Sequence, residues 1–146
     1  MTQTTKTGLT GRSKGKIVLA FCVADMLHAG HLNLFREAKK MGDYLIVCPH
    51  PSYCVKKYKR NPVIDTDGRF EVLRELKMID LVIACDRYDT DETIDIIRPD
   101  LIVHGDDWID FPGRAKAEEL GIETATIPYT KGISTTKIIE RIKNEY

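Results

Sequence analysis

Two histidines stand three residues apart in the segment Val23-Ala24-Asp25-Met26-Leu27-His28-Ala29-Gly30-His31. The segment follows an apolar run and leads into a helical pattern. His31 falls at the expected helix start and His28 one turn earlier. The first N–H groups of a helix have no intrahelical partner and carry partial positive charge. Two imidazoles placed there add donors aimed at the same point. Gly30 lets a backbone approach closely with no Cβ in the way. The arrangement suits a polyphosphate. A capped turn, a chance surface pair and a zinc pair are the other readings, and no third zinc ligand stands nearby in sequence. The segment is not a Gly-rich dinucleotide fingerprint, and no Walker lysine follows.

Three further segments carry chemistry-bearing residues. Lys56-Lys57-Tyr58-Lys59-Arg60 places four basic residues in five, as a solvated loop or as a clamp on phosphates. Gly105-Asp106-Asp107-Trp108 pairs two aspartates that suit a metal, a hydroxyl or an amine. Trp108, the chain's only tryptophan, also suits plain packing. Lys131-Gly132-Ile133-Ser134-Thr135-Thr136 is a loop feeding a helix, whose hydroxyls cap the helix and can also donate to phosphate.

The elements that position these segments alternate along the chain. Short apolar runs, expected as strands, span Lys16–Cys22, Tyr44–Cys48, Leu81–Ala84, Leu101–His104 and, more weakly, Glu123–Ile127. Most are β-branched and nearly continuous, as strands covered on both faces are. Helical spacing recurs over His31–Met41, with Gly42 expected as its C-cap, and over Asp67–Lys77. It recurs over Asp91–Arg98 before Pro99, over Arg114–Leu120 before Gly121, and from Ser134 or Thr135 onward. Alternation of strand and helix predicts a parallel α/β sheet with right-handed crossovers. Ligands in such sheets bind beyond the carboxyl ends of the strands. All four polar segments fall at that edge. Pro49–Thr66 breaks the alternation and is long for a connecting loop.

The 146 residues suit one domain over 16–146, with Met1–Gly15 as a flexible polar tail that lacks the apolar segment of a signal peptide. Lys plus Arg and Asp plus Glu both total 22, so there is no basic excess of the kind a nucleic-acid binder carries. No apolar run is long enough for membrane insertion. The four cysteines, Cys22, Cys48, Cys54 and Cys85, show no CxxC spacing, and reduced thiols suit a cytoplasmic protein.

Together the segments resemble the HxGH nucleotidyltransferases, and within them the cytidylyltransferases, above all those acting on glycerol 3-phosphate. The likeness runs from Lys16 onward. It rests on Asp25 to His31, Ala38-Lys39-Lys40-Met41-Gly42-Asp43-Tyr44, Gly105 to Trp108, and Gly132-Ile133-Ser134-Thr135-Thr136. It implies a Rossmann-like, five-stranded parallel sheet and direct attack of a substrate phosphate on the α-phosphorus of CTP, with Mg²⁺ accompanying the nucleotide. It implies catalytic roles for His28, His31, Lys56 and Lys59. Nucleotide contacts are implied along Val23, Ala24, Asp25, Gly30, Gly105, Asp107, Tyr129, Gly132, Ser134 and Thr135, and acceptor contacts at Arg69, Lys77 and Tyr88. A homodimer is implied as well. An adenylyltransferase of the same superfamily, or a nucleotide-binding domain without catalysis, are the competing readings. Three departures bear on the choice. The family's Gly-Thr-Phe-Asp reads Cys22-Val23-Ala24-Asp25, its expected arginine before Gly-Ile-Ser-Thr reads Tyr129, and an expected tryptophan reads Tyr88.

Overall fold

The computed structural model describes residues 15–86, 89–106 and 111–146. The expected tail therefore lies outside the described residues, apart from Gly15. The strands are β1 (Ile17–Cys22), β2 (Tyr44–Pro49), β3 (Leu81–Val82), β4 (Leu101–Gly105) and β5 (Glu123–Ile127). They form one parallel sheet in the order β3-β2-β1-β4-β5. The expected sheet is present, with β3 cut to two residues at the edge. The chain winds outward from β1 through β2 to β3, then returns to the other side of β1 as β4. The switch point of the sheet is therefore the gap between the carboxyl ends of β1 and β4, where open α/β sheets bind ligands.

The helices are α1 (Ala29–Lys40), α2 (Ser52–Val55), α3 (Thr66–Arg74), α4 (Thr90–Ile97), α5 (Arg114–Leu120) and α6 (Thr135–Glu145). Strand alternation sorts them onto two faces. Val18, Ala20, Leu45, Val47, Leu101 and Val103 point to one face and pack on Phe35 and Ala38 of α1 and Leu73 of α3. Ile17, Leu19, Ile46 and Ile102 point to the other and pack on Ile94 and Ile97 of α4 and Ala117 of α5. Both faces are covered, which is why these strands read as continuous apolar runs.

Aspartates fasten the amino ends of the strands. Asp43, Asp80 and Asp100 each stand one residue before β2, β3 and β4. Each accepts a backbone N–H from a neighbouring stretch: Lys16 N to Asp43 Oδ2 at 2.7 Å, Leu45 N to Asp80 Oδ2 at 2.7 Å and Ile17 N to Asp100 Oδ2 at 2.8 Å. Lys39 Nζ neutralises Asp80 at 2.6 Å. The structural end of the sheet is thus charged but paired, and the opposite end is left for chemistry.

Two expectations change. Gly42 does not cap α1, because the cap is Met41 in ordinary right-handed geometry. Glycine is needed there for close approach: a Cβ would lie 2.6 Å from Val18 Cγ2 and 2.8 Å from Lys16 O. Pro49–Thr66 is not a plain loop either, since Cys54 and Val55 of α2 are buried and anchor its middle. Gly121 does end α5 in a left-handed conformation at φ 67°. Because the Gly42 clash includes backbone, Gly42→Ala is expected to destabilise the fold by about 1–3 kcal/mol, the cost of overpacking. Urea unfolding at equilibrium checks this, and an unchanged midpoint would contradict it.

Candidate active site

The chain leaves β1 through a tight loop. Ala24 and Met26 both adopt left-handed backbone, at φ 58° and 49°. Such conformations in non-glycine residues cost on the order of 1–3 kcal/mol and persist only where surroundings hold them. The loop delivers His28 to the N-cap of α1 in extended geometry.

The two histidines then cap each other's turn. Gly30 N–H donates to His28 Nδ1 at 3.0 Å, and His28 N–H donates to His31 Nδ1 at 3.1 Å. A backbone donor on Nδ1 leaves no room for a proton there. Each neutral ring therefore carries its hydrogen on Nε2, as a donor facing away from the helix. The rings lie 4.0 Å apart between centroids, tilted by 40°. Burial lowers the His28 pKa. Burial, with the charges of His28 and Lys59, lowers that of His31 to about 4 despite Asp25 nearby. The pair is a neutral double donor at physiological pH. Gly30 is required beneath it, because a Cβ would lie 2.8 Å from His28 Cε1.

A second helix start meets this one. Ser134 caps α6, its Oγ accepting from Lys137 N at 3.1 Å. Thr135 Oγ1 donates to Asp25 O at 3.0 Å, and Asn33 of α1 donates to Thr130 Oγ1 at 2.9 Å. The position a Gly30 Cβ would take is 3.6 Å from Ile133 Cγ2. The amino ends of α1 and α6, both partially positive, thus converge beside the imidazole donors. Gly132 turns the chain into α6 at φ 87°. Gly105 closes β4 opposite Ile127, on the other side of the switch point from the β1 loop.

The basic segment is tied to the same centre. Asp25 is 4% exposed and its carboxylate accepts from Val63 N (2.8 Å), Ile64 N (2.9 Å) and Arg60 Nη1 (3.0 Å). Burial alone would raise its pKa, but these donors outweigh burial and lower it. The carboxylate is committed to protein donors, which gives Asp25 a framework part. Val23 is committed likewise, since its carbonyl takes Arg69 Nη1 at 2.7 Å.

Arg69 itself is 2% exposed. Its guanidinium also donates to His50 O at 3.0 Å, Ile64 O at 3.0 Å and Ser52 Oγ at 3.0 Å. With four of its N–H groups used inside the protein, it braces three loops and does not reach for an acceptor. Lys77 is not brought to the site at all. It follows α3 at the amino ends of the strands, exposed and on the far edge of the sheet. Lys59 is brought close enough for its charge to bear on His31. Lys56 is exposed just after α2, and among the described residues no contact ties its ammonium to the histidines. Tyr129 is 59% exposed beside Thr130. Tyr88, Asp107 and Trp108 lie outside the described residues.

Some contributors carried no sequence signal. Asn33 looks like any exposed helix residue. His50 is fully buried, stacked on Phe21 at an interplanar angle of 2°, with Nδ1 2.6 Å from Cys85 O. All four cysteines are buried free thiols, and burial pushes Cys22 up to about 12 despite Arg69 nearby.

The tautomer assignment is directly measurable. Long-range ¹⁵N-edited NMR at pH 7 is expected to show both rings as Nε2–H, with His31 titrating near pH 4 and His28 below 6.5. An Nδ1–H signal from either ring would overturn it. The sign for stability follows: unfolded histidines bind protons from about pH 6.5 downward while the folded ones resist. This contribution is whole above 6.5 and is lost as pH falls toward 4.

Comparison with known proteins places the chain. The Cytidylyltransferase-like family profile matches residues 19–141. The bifunctional protein HldE of Yersinia enterocolitica is 36% identical over 138 residues, covering 91% of this chain and 29% of its own. The ethanolamine-phosphate cytidylyltransferase of Mus musculus is 36% identical over 141 residues, covering 92% of this chain and 35% of its own. The chain thus spans about a third of the length of these curated relatives. Among solved structures, a lipopolysaccharide core biosynthesis protein from Thermoplasma volcanium superposes with a TM-score of 0.71 at 29% identity, covering 82% of this chain and all of that one. With its profile matched across the sheet and both converging helix starts, the chain belongs to the cytidylyltransferase-like family.

Proposed function

We propose that the chain is a nucleotidyltransferase that moves CMP from CTP to a phosphorylated small alcohol, such as glycerol 3-phosphate or a similar phospho-alcohol or phosphonate, and releases pyrophosphate. The observation that carries the reading is the pair of neutral Nε2–H donors at the switch point, flanked by two helix amino ends. The mouse relative, by its name, pairs cytidylyl transfer with a phospho-alcohol, which supports the acceptor class.

The chemistry fits the donor set. An oxygen of the acceptor phosphate bonds to the α-phosphorus of CTP. The bond from that phosphorus to its bridging oxygen breaks, and the oxygen leaves with pyrophosphate. The acceptor phosphate is already ionised, so no base is needed. Catalysis reduces to alignment and to stabilising charge on the phosphoryl oxygens. His28 and His31 donate to those oxygens without needing to be protonated. Lys59 adds positive charge, with Lys56 a second lysine of the same segment. Ser134, Thr135 and the backbone around Gly132 receive the outer phosphates. The family resemblance assigns nucleoside contacts to Ala24, Gly30, Gly105 and Asp107, and Tyr129 offers a ring and a hydroxyl where an arginine would offer a fork. The same resemblance assigns Tyr88 to the acceptor.

Mg²⁺ belongs to the reading as the counter-ion of CTP, held mainly by phosphate oxygens and water. Asp25, the buried carboxylate of this edge, already holds three donors. The chain's own residues here are donors and cations, which suits a metal that arrives on the nucleotide. Four buried free thiols fit a reducing, cytoplasmic setting, and no helix among the described residues is long and apolar enough to cross a membrane. A homodimer is part of the reading, and sedimentation velocity tests it.

Pyrophosphate release, measured with each NTP and Mg²⁺ over a panel of phospho-alcohols and phosphonates, tests the function. CTP-dependent release with a phosphorylated acceptor is expected. Release with ATP alone would replace CTP in the reading, and binding without turnover would replace catalysis. His28→Ala and His31→Ala are each expected to lower kcat by about 10²–10³, as loss of a donor to a developing oxyanion does. Wild-type rates in both variants would sink the mechanism.

A further inference from the structure

The basic segment holds four cations, and Arg60 among them is fixed by a buried carboxylate. Arg60 Nη1 lies 3.0 Å from Asp25 Oδ2 and 3.3 Å from Asn61 O. The Arg60 side chain is 39% exposed while that of Asp25 is 4% exposed, so one partner is buried and the other reaches in from the surface. The segment is also held at its start: Tyr58 N and Lys59 N both donate to Val55 O, at 3.1 and 3.0 Å, and Val55 is buried. Lys59 is therefore strung between two anchors, the end of α2 and the Arg60–Asp25 pair. Of the lysines in this segment it is the one whose charge bears on His31.

We propose that Arg60 is a positioning residue: its ion pair with Asp25 sets the course of the basic segment and so holds Lys59 toward the His28–His31 pair. The inference rests on the transfer reaction proposed above and adds to it a residue that acts without touching nucleotide or acceptor. Its logic is the separation of two jobs within one run of like charge. A flexible lysine supplies the cation, and a planar guanidinium, which engages carboxylate with directional donors, supplies the fixed point. Asp25 keeps its two backbone donors when Arg60 is removed, so the buried carboxylate is not orphaned. Arg60→Gln is on that account a cleaner variant than any change at Asp25.

The experiment is a double-mutant cycle on pyrophosphate release, with Arg60→Gln, Lys59→Ala and both together. Arg60→Gln is expected to lower kcat about tenfold, a coupling typical of residues in one ion-pair network, with KM for the acceptor little changed. Lys59→Ala is expected to lower kcat by at least as much, and the double variant to be no worse than Lys59→Ala alone. Arg60→Lys should recover part of the loss. Amide exchange at Val63 and Ile64 is followed alongside, and faster exchange is expected in Arg60→Gln with the sheet still protected. Losses that multiply would overturn the proposal, because Arg60 would then act on its own. Full activity in Arg60→Gln would overturn it as well. If the wild type turns over no nucleotide, the proposed function fails separately. The same cycle is then read on the Kd for inorganic tripolyphosphate: non-additive losses support the positioning role and additive ones reject it.

Discussion

The carboxylate of Asp25 gathers donors from 35, 38 and 39 residues away in sequence, and its own carbonyl receives a hydroxyl from 110 residues away. One residue after β1 thus fixes the segment after α2 and the start of α6. A buried carboxylate without partners would be expensive, so the three donors are a condition of the fold as well as a gain to it. Once they are met, each loop has a single place to go. The left-handed turns at Ala24 and Met26 are tolerated because Asp25 sits between them and is held from three sides. Arg69 does the complementary job below, as a buried cation spread over Val23, His50, Ile64 and Ser52. The two together hold these connections in one arrangement around the carboxyl edge of the sheet.

The two ends of the sheet show the same residue type put to opposite uses. Asp43, Asp80 and Asp100 take up backbone N–H groups at the amino edge, where the strands begin. Asp25 takes up backbone N–H groups at the carboxyl edge, but from loops. In the first case the carboxylates seal an edge. In the second the carboxylate organises donors around a space it does not itself face. The local negative charge is thereby spent on the framework, beside the helix amino ends and the two imidazoles.

Much of the fold was legible because burial on both faces writes itself as continuous β-branched runs. Leu101–His104 and Glu123–Ile127 were placed to within a residue, and Arg114–Leu120 was bounded by a glycine that does adopt the left-handed cap. What was not legible depends on contacts across the fold. Gly42 stands where a helix ends, and only the proximity of Val18 and Lys16 shows that its missing Cβ matters. Leu81–Ala84 is apolar for four residues, yet pairing runs out after two at the sheet edge. At the carboxyl edge, the grouping of the histidines, Gly30, Ser134 and Thr135 was legible by type and order. Asp25 and Arg69 were recognisable too, but their work was not. A charged residue in a functional loop reads as a ligand contact until the structure shows its charge already satisfied.

That distinction bears on how the imidazoles are used. Histidines in an active site invite a role as acid or base, and spacing alone permits it. The backbone donors on both Nδ1 atoms remove that option at neutral pH, because protonating either ring would set two N–H groups against each other. Burial lowers both pKa values as well, so desolvation and hydrogen bonding favour the same neutral rings. A reaction whose nucleophile is already an ionised phosphate asks for no proton transfer, and a pair of neutral N–H donors at the meeting of two helix starts supplies directed hydrogen bonds without the solvation that a buried imidazolium would demand. In the reaction proposed above, positive charge is assigned to Lys59, on a segment that Arg60 and Val55 hold at either end. In the proposed reaction, this division between neutral donors at the helix starts and a cation on the tethered segment would let phosphate orientation and phosphate charge be set by different parts of the chain.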